Sequence, residues 1–164
     1  ELRSSVGEGT EFTLYLPAAD EALCPAGERP QDEPQGEGRV LVMDDEEHVR
    51  EIARGMLEDL GYVAETARDG TEAALRFETA KAKGQPFDIV ILDLTVPGGT
   101  GGVRTLVRLR QVDASVQAIA SSGYSSDPIM SHPRDAGFVA TLPKPYTRQE
   151  LAAVLRRLLS GRPG

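Results

Sequence analysis

Charged residues stand at the ends of three β-rich runs in this chain: the acidic pair Asp44-Asp45, the single Asp93, and Lys144 ahead of Pro145. A fourth run ends in the hydroxyl-bearing step Ser121-Ser122-Gly123. Carboxylates gathered in one crevice repel and raise one another's pKa unless a cation joins them, and their hard oxygens suit Mg²⁺ or Mn²⁺. A lysine opposite can hold phosphoryl oxygens as a point charge, and a small hydroxyl can donate a hydrogen bond to the same group. Phosphoryl chemistry at a carboxylate is within reach of this set, provided the fold collects its members.

Taken one at a time, the same residues have ordinary readings. An Asp pair ahead of a helix supplies negative charge that the helix dipole favours. Asp93 and Ser121-Ser122-Gly123 suit turns, and Lys144-Pro145 suits a solvated lysine before a rigid bend. What joins them is their order along the elements that must carry them.

From Arg39 onward, short β-rich runs alternate with helical patterns, which predicts βαβ units and a parallel sheet. The run Arg39–Met43 leads into a helix with Val49, Ile52, Met56, Leu57 and Leu60 on one face, stopped at Gly61. A second strand spans Tyr62–Ala67. Asp69 can cap the following helix, with Glu72 three places on and Ala73, Leu75, Phe77 and Ala80 continuing it. The third strand, Asp88–Asp93, is apolar without alternation, as a central strand covered on both faces should be. Val103, Leu106, Val107 and Arg110 keep helical spacing, and Val116–Ala120 returns to extended structure. Asp127-Pro128 opens a helix that Pro133 must shorten or bend. Phe138–Leu142 is the fifth strand, and Thr147 with Glu150 forms a capping box for a last helix turning Leu151, Val154, Leu155 and Leu158 inward. The predicted fold is α/β: a doubly wound, flavodoxin-like five-stranded parallel sheet with strand order 2-1-3-4-5. Ligands of such sheets lie beyond the carboxyl ends of the strands, where the charged set falls.

On these residues, 39–160 resemble the response-regulator receiver family. The resemblance implies that Asp93 is the nucleophile and phosphate acceptor, that Asp44 and Asp45 hold Mg²⁺ directly or through water, and that the backbone carbonyl of Thr95 completes the protein ligands. It implies that Ser122 is the hydroxyl that turns inward on phosphorylation, and that Lys144 is the phosphate-contacting lysine, followed by a proline commonly joined in cis. An aromatic residue often stands three places before that lysine; here the position is Thr141.

The beginning of the chain has another character. Val6 to Pro17 resembles the last glycine box and closing strand of the ATP-binding domain of histidine kinases, a likeness carried by Gly7, Gly9, Thr10 and Phe12. Glu11–Leu16 alternates like a strand but has no partner strand in view. Pro17 to Gly38 holds four prolines and six acidic residues against one Arg, with little to bury, which reads as a linker. The expected organisation is therefore 1–17 kinase remnant, 18–38 flexible linker, 39–160 receiver and 161–164 tail, a fragment of a hybrid sensor histidine kinase. The remnant lacks the rest of a nucleotide pocket, so the fragment is expected to accept phosphate without binding ATP.

Composition narrows the partners. A net charge of −8, a pI near 4.8 and the lack of a basic stripe disfavour nucleic acid. Cys24 is the only cysteine, which excludes an intrachain disulfide and fits a reducing cytoplasm. No apolar run is long enough to span a bilayer, so membrane contact would belong to the parent protein. The expected phosphodonor is a phosphohistidine of a histidine-kinase domain, in cis or in a dimer mate, with a downstream histidine phosphotransfer protein as a further partner. Two other classes compete. A receiver-like interaction module that is never phosphorylated would not need the full Asp44, Asp45, Asp93, Ser122 and Lys144 set. An aspartate-nucleophile phosphatase usually wants a second acid two residues after the nucleophile, where Thr95 stands.

Overall fold

The structure is a computed structural model that describes residues 1–7, 9–15, 36–124 and 127–160. Most of the expected linker 18–38, with Cys24, and the 161–164 tail lie outside the described residues, as do Leu16 and Pro17. The chain divides into two units, Glu1–Pro34 and Gln35–Gly164.

In the first unit, β1 (Leu2–Ser5) pairs antiparallel with β2 (Gly9–Phe12), Leu2 opposite Phe12 and Ser5 opposite Gly9. Of the expected strand Glu11–Leu16 only Glu11 and Phe12 fall in β2, and they pair with a strand that the sequence did not reveal. Leu2–Ser5 is short and mostly polar and carries no alternation, and the pairing depends on Gly7 in the turn and Gly9 at the start of β2, which adopt φ of 87° and 95°. Only glycine takes such angles without strain.

The second unit is built on five parallel strands, β3 (Arg39–Met43), β4 (Val63–Ala67), β5 (Ile89–Asp93), β6 (Ala118–Ser122) and β7 (Ala140–Pro143). Their order is β4-β3-β5-β6-β7, the doubly wound 2-1-3-4-5 arrangement. The helices are α1 (Glu47–Asp59), α2 (Gly70–Ala82), α3 (Gly102–Val112), α4 (Pro128–Ser131) and α5 (Arg148–Leu159). Successive side chains of each strand point to opposite faces, so one strand feeds two cores. Leu41, Met43, Val90 and Leu92 join Phe77, Leu106 and Leu109 from α2 and α3. Val40, Val42, Ile89 and Ile91 join Leu57, Leu151 and Leu155 from α1 and α5. Burying each large side chain is worth about 1.5–3 kcal/mol, and the two cores together fix the strand order.

The caps largely follow the sequence. Thr147 and Glu150 make the reciprocal capping box of α5, at 3.2 Å and 2.7 Å. Asp69 Oδ1 accepts the Thr71 and Glu72 N–H groups, but the Glu72 carboxylate reaches past the cap to the Arg68 N–H. The segment after Asp127 is broken as Pro133 requires: α4 is one turn long, and a 3₁₀ turn (Pro133–Ala136) follows it.

Helix faces differ from the apolar spacing. Ile52 and Leu75 are 59% and 62% exposed, whereas Ala53 and Ala74 are buried; Ala73, Phe77 and Ala80 are buried as their spacing predicts. The closest approach of a helix to a sheet selects small side chains, and longer residues one position away are turned to solvent. On the last helix Leu151 and Leu155 are buried as expected, while Val154 and Leu158 are only partly covered.

Candidate functional site

The ends of three strands converge at one edge of the sheet. β3 stops at Met43 because the chain turns through Asp44-Asp45 into α1, with the Asp44 N–H still bonded to Ala67 O at 3.0 Å. β5 stops at Asp93, whose Oδ1 accepts the Thr95 N–H at 3.2 Å. β7 delivers Lys144, whose N–H bonds to Ser122 O at 2.9 Å and whose peptide bond to Pro145 is cis. Glycine is required beside β5. A Cβ on Gly102 would stand 2.7 Å from the Asp93 carbonyl oxygen, and one on Gly101 would stand 2.6 Å from that of Leu94.

The Lys144 Nζ joins two carboxylates. It lies 2.8 Å from Asp93 Oδ2 and 2.5 Å from Asp44 Oδ2, and all three side chains are largely buried. Asp44 Oδ1 also accepts the Glu46 N–H at 3.0 Å. Burial pushes the Asp93 carboxyl above its ordinary pKa; the hydrogen bond and charge of Lys144 and the Thr95 N–H oppose this, and the Asp44 charge adds to it. Burial alone would lower the Lys144 pKa, but its bonds to Asp44 and Asp93 outweigh that and hold it above the usual lysine value. The cation therefore stays charged where it is most needed.

Asp44, Asp45 and Asp93 each offer a carboxylate oxygen within 4.8 Å of the others, the donor set a small hard cation requires. Thr95 lines the same cavity of about 290 Å³, with Asp45, Glu46, Asp93, Pro97, Gly123, Tyr124 and Lys144. Ser122 lies at the end of β6 beside this cavity; its Oγ accepts the Tyr124 N–H at 3.1 Å. Ser121 is committed elsewhere, its hydroxyl donating to Leu142 O at 3.0 Å. The site residues singled out from the sequence thus fall at one edge; Asp44 and Asp93 share Lys144 as well as accepting local backbone N–H groups, whereas the Ser122 hydroxyl is turned to the Tyr124 N–H.

A conserved fold alone could be shared by many chemistries. Here the sequence profile of the response regulator receiver domain matches residues 40–156. This chain belongs to the response regulator receiver family. It is 34% identical to the sensor kinase CckA of Brucella abortus (strain 2308), over 95% of this chain and 17% of that one. It is 35% identical to the response regulator MprA of Mycobacterium sp. (strain KMS), over 74% of this chain and 50% of that one. The receiver domain of the sensor histidine kinase PA1611 from Pseudomonas aeruginosa PAO1, solved with magnesium in its active-site cleft, superposes with a TM-score of 0.66 at 23% identity, covering 77% of this chain and all of that one. The chain spans at most half the length of these curated relatives. As a receiver of two-component signalling it is a phosphoryl-accepting module.

The sequence reading passed over three residues of the site. Glu46 and Tyr124 line the cavity, and Arg50 Nη1 donates to the carbonyls of both Asp44 and Asp45 at 2.8 Å. One signal for Arg50 was present: a cation in the first turn of a helix opposes the dipole there. Among the described residues no helix is long and apolar enough to cross a membrane.

Proposed function

We propose that Asp93 accepts a phosphoryl group from a phosphohistidine, with Mg²⁺ held by Asp44, Asp45, Asp93 and the Thr95 carbonyl. The observation that carries this reading is the Lys144 ammonium bridging Asp44 and Asp93 at the carboxyl edge of the sheet. Asp93 Oδ attacks phosphorus in line, the bond from phosphorus to the imidazole nitrogen breaks, and the imidazole leaves with its electron pair. Lys144 then moves from pairing carboxylates to pairing a phosphoryl oxygen, and the Ser122 hydroxyl rotates from Tyr124 toward another. Bound Mg²⁺ supplies charge neutralisation among the carboxylates and the transferring oxygens. The magnesium in the PA1611 receiver supports the choice of ion.

The phosphodonor is assigned to a histidine-kinase domain in the same polypeptide or its dimer mate, with a histidine phosphotransfer protein as a downstream partner. Residues 1–17 are read as the end of a kinase ATP-binding domain, 18–38 as a linker and 161–164 as a tail, in a cytoplasmic part of a hybrid kinase. Two features support this. The likeness to CckA extends over 95% of the chain, beyond the receiver match. The two-stranded β1–β2 sheet exposes Leu2 and Phe12, and Leu14 and Tyr15 just after it are exposed too; such a small sheet normally needs further strands or a helix for stability.

The test is incubation with a small phosphodonor and Mg²⁺, followed by intact mass. One phosphoryl group should appear on the wild-type chain and none on Asp93→Asn. An equal adduct on the Asn variant would place the acceptor elsewhere, continuous turnover would indicate a phosphatase, and no adduct would favour a binding module.

A further inference from the structure

We infer that Arg50 is a positioning residue for the acidic pair: by bonding the backbone carbonyls of Asp44 and Asp45 together, it holds the Asp45 carboxylate in register with those of Asp44 and Asp93. The inference rests on the metal-assisted reading above and names a residue outside its ligand set.

The two acids are secured very differently. Asp44 is buried, tied through its N–H to Ala67, through Oδ1 to the Glu46 N–H and through Oδ2 to Lys144. Asp45 is exposed at the turn between β3 and α1, yet its carboxylate oxygen lies within 4.8 Å of those of its two partners. Arg50 supplies the tether, because one nitrogen donates at 2.8 Å to each carbonyl and so fixes both peptide planes that flank Asp45. Charge-assisted bonds of this kind are about twice as strong as neutral ones, which offsets the unfavourable placement of a cation in the first turn of α1.

The same guanidinium brings positive charge toward a cation site, so its two effects have opposite signs. Charge alone would weaken metal binding, and it is screened at a half-exposed position. Loss of an outer-shell partner typically costs about 10–100-fold in metal affinity, so positioning should win.

Mg²⁺ titration of the 164-residue chain, followed by backbone amide NMR shifts, separates these effects by sign. Arg50→Met keeps the apolar stem and removes donors and charge; it should weaken Mg²⁺ binding roughly tenfold. Arg50→Lys keeps charge and donors and should bind close to wild type. Asp45→Ala should weaken binding by itself, and adding Arg50→Met to it should change little more. Unchanged or tighter binding by Arg50→Met overturns the inference, as does a full additional loss in the double variant. Should Arg50→Met prove too unstable to titrate, Arg50→Lys decides the matter: folded but tenfold weaker binding overturns the inference. If Asp45→Ala binds Mg²⁺ as wild type does, the metal reading itself fails and this inference falls with it. If Asp45→Ala is weakened and Arg50→Met is not, only the role of Arg50 is lost.

Discussion

Lys144 and Asp93 meet at 2.8 Å between Nζ and Oδ2, and both side chains are more than four-fifths buried. The pair spans two strands that are not neighbours, β5 and β7, and it places a cation against the residue proposed to receive phosphate. Lys144→Met would leave Asp44 and Asp93 buried beside each other without their common counter-ion. Removing one partner of a buried ion pair costs about 3–5 kcal/mol, so the metal-free variant should unfold at clearly lower urea concentration than wild type. Saturating Mg²⁺ should return more stability to this variant than to wild type, since the ion no longer competes with the ammonium. Equal stability of the two metal-free proteins would show that the pair is not structurally required.

Gly102 and Gly55 should respond oppositely to alanine. A Cβ on Gly102 would press on the Asp93 carbonyl at 2.7 Å, and backbone cannot swing aside. Gly102→Ala should destabilise by about 1–3 kcal/mol and slow phosphorylation by displacing the acceptor strand. Gly55, within α1, has nothing within 4 Å of its Cβ position, so Gly55→Ala should stabilise by about 0.5–1 kcal/mol. Thermal melts of the two variants against wild type give the comparison; equal shifts would contradict it.

Asp113 gives a pH test away from the site. Its carboxyl is lowered to about 2, first by the Ser115 hydroxyl, then by Lys81 and the Ser115 N–H. A depressed acid contributes stability above its ordinary pKa of 3.8 and loses it as pH falls toward about 2. Asp113→Asn should therefore be less stable than wild type at neutral pH and match it near pH 2. Lys81 and Asp113 are 41% and 25% exposed, so solvent screening keeps the difference to about 0.5–1 kcal/mol. Denaturant melts across that range check both the sign and the closing of the gap.

Thr141 limits how a phosphoryl signal can leave the site. It lies on β7, half-buried, at the position where the resemblance to receivers implies an aromatic side chain, and it cannot move the ring-sized area whose burial is worth about 1.5–3 kcal/mol. Amide shifts on adding a phosphoryl mimic should concentrate at Gly123, Tyr124 and the segment from Asp127 to Ala136, where Pro133 breaks the helix. The same pattern is expected in Thr141→Ala. Changes centred on β7 that vanish in the variant would make Thr141 the coupler instead.

The sequence by itself determined the order of the elements and the residues at their ends. Uninterrupted apolar runs such as Ile89–Leu92, alternating with helical patterns, suit central parallel strands, and parallel strands place their carboxyl ends together, which puts Asp44, Asp93 and Lys144 at one edge. Pro133 likewise dictated a broken helix before any contact was known. Tertiary structure alone decided which helix faces are buried: Ala53 rather than Ile52 faces the sheet, because that choice depends on how closely each helix can approach. It also decided the pairing of Leu2–Ser5 with Gly9–Phe12, which rests on backbone bonds and glycine turns rather than on side-chain periodicity. The bond from Arg50 to the Asp44 and Asp45 carbonyls belongs with these. Backbone acceptors are the same in every residue, so no spacing of side chains could announce which carbonyls a guanidinium would find.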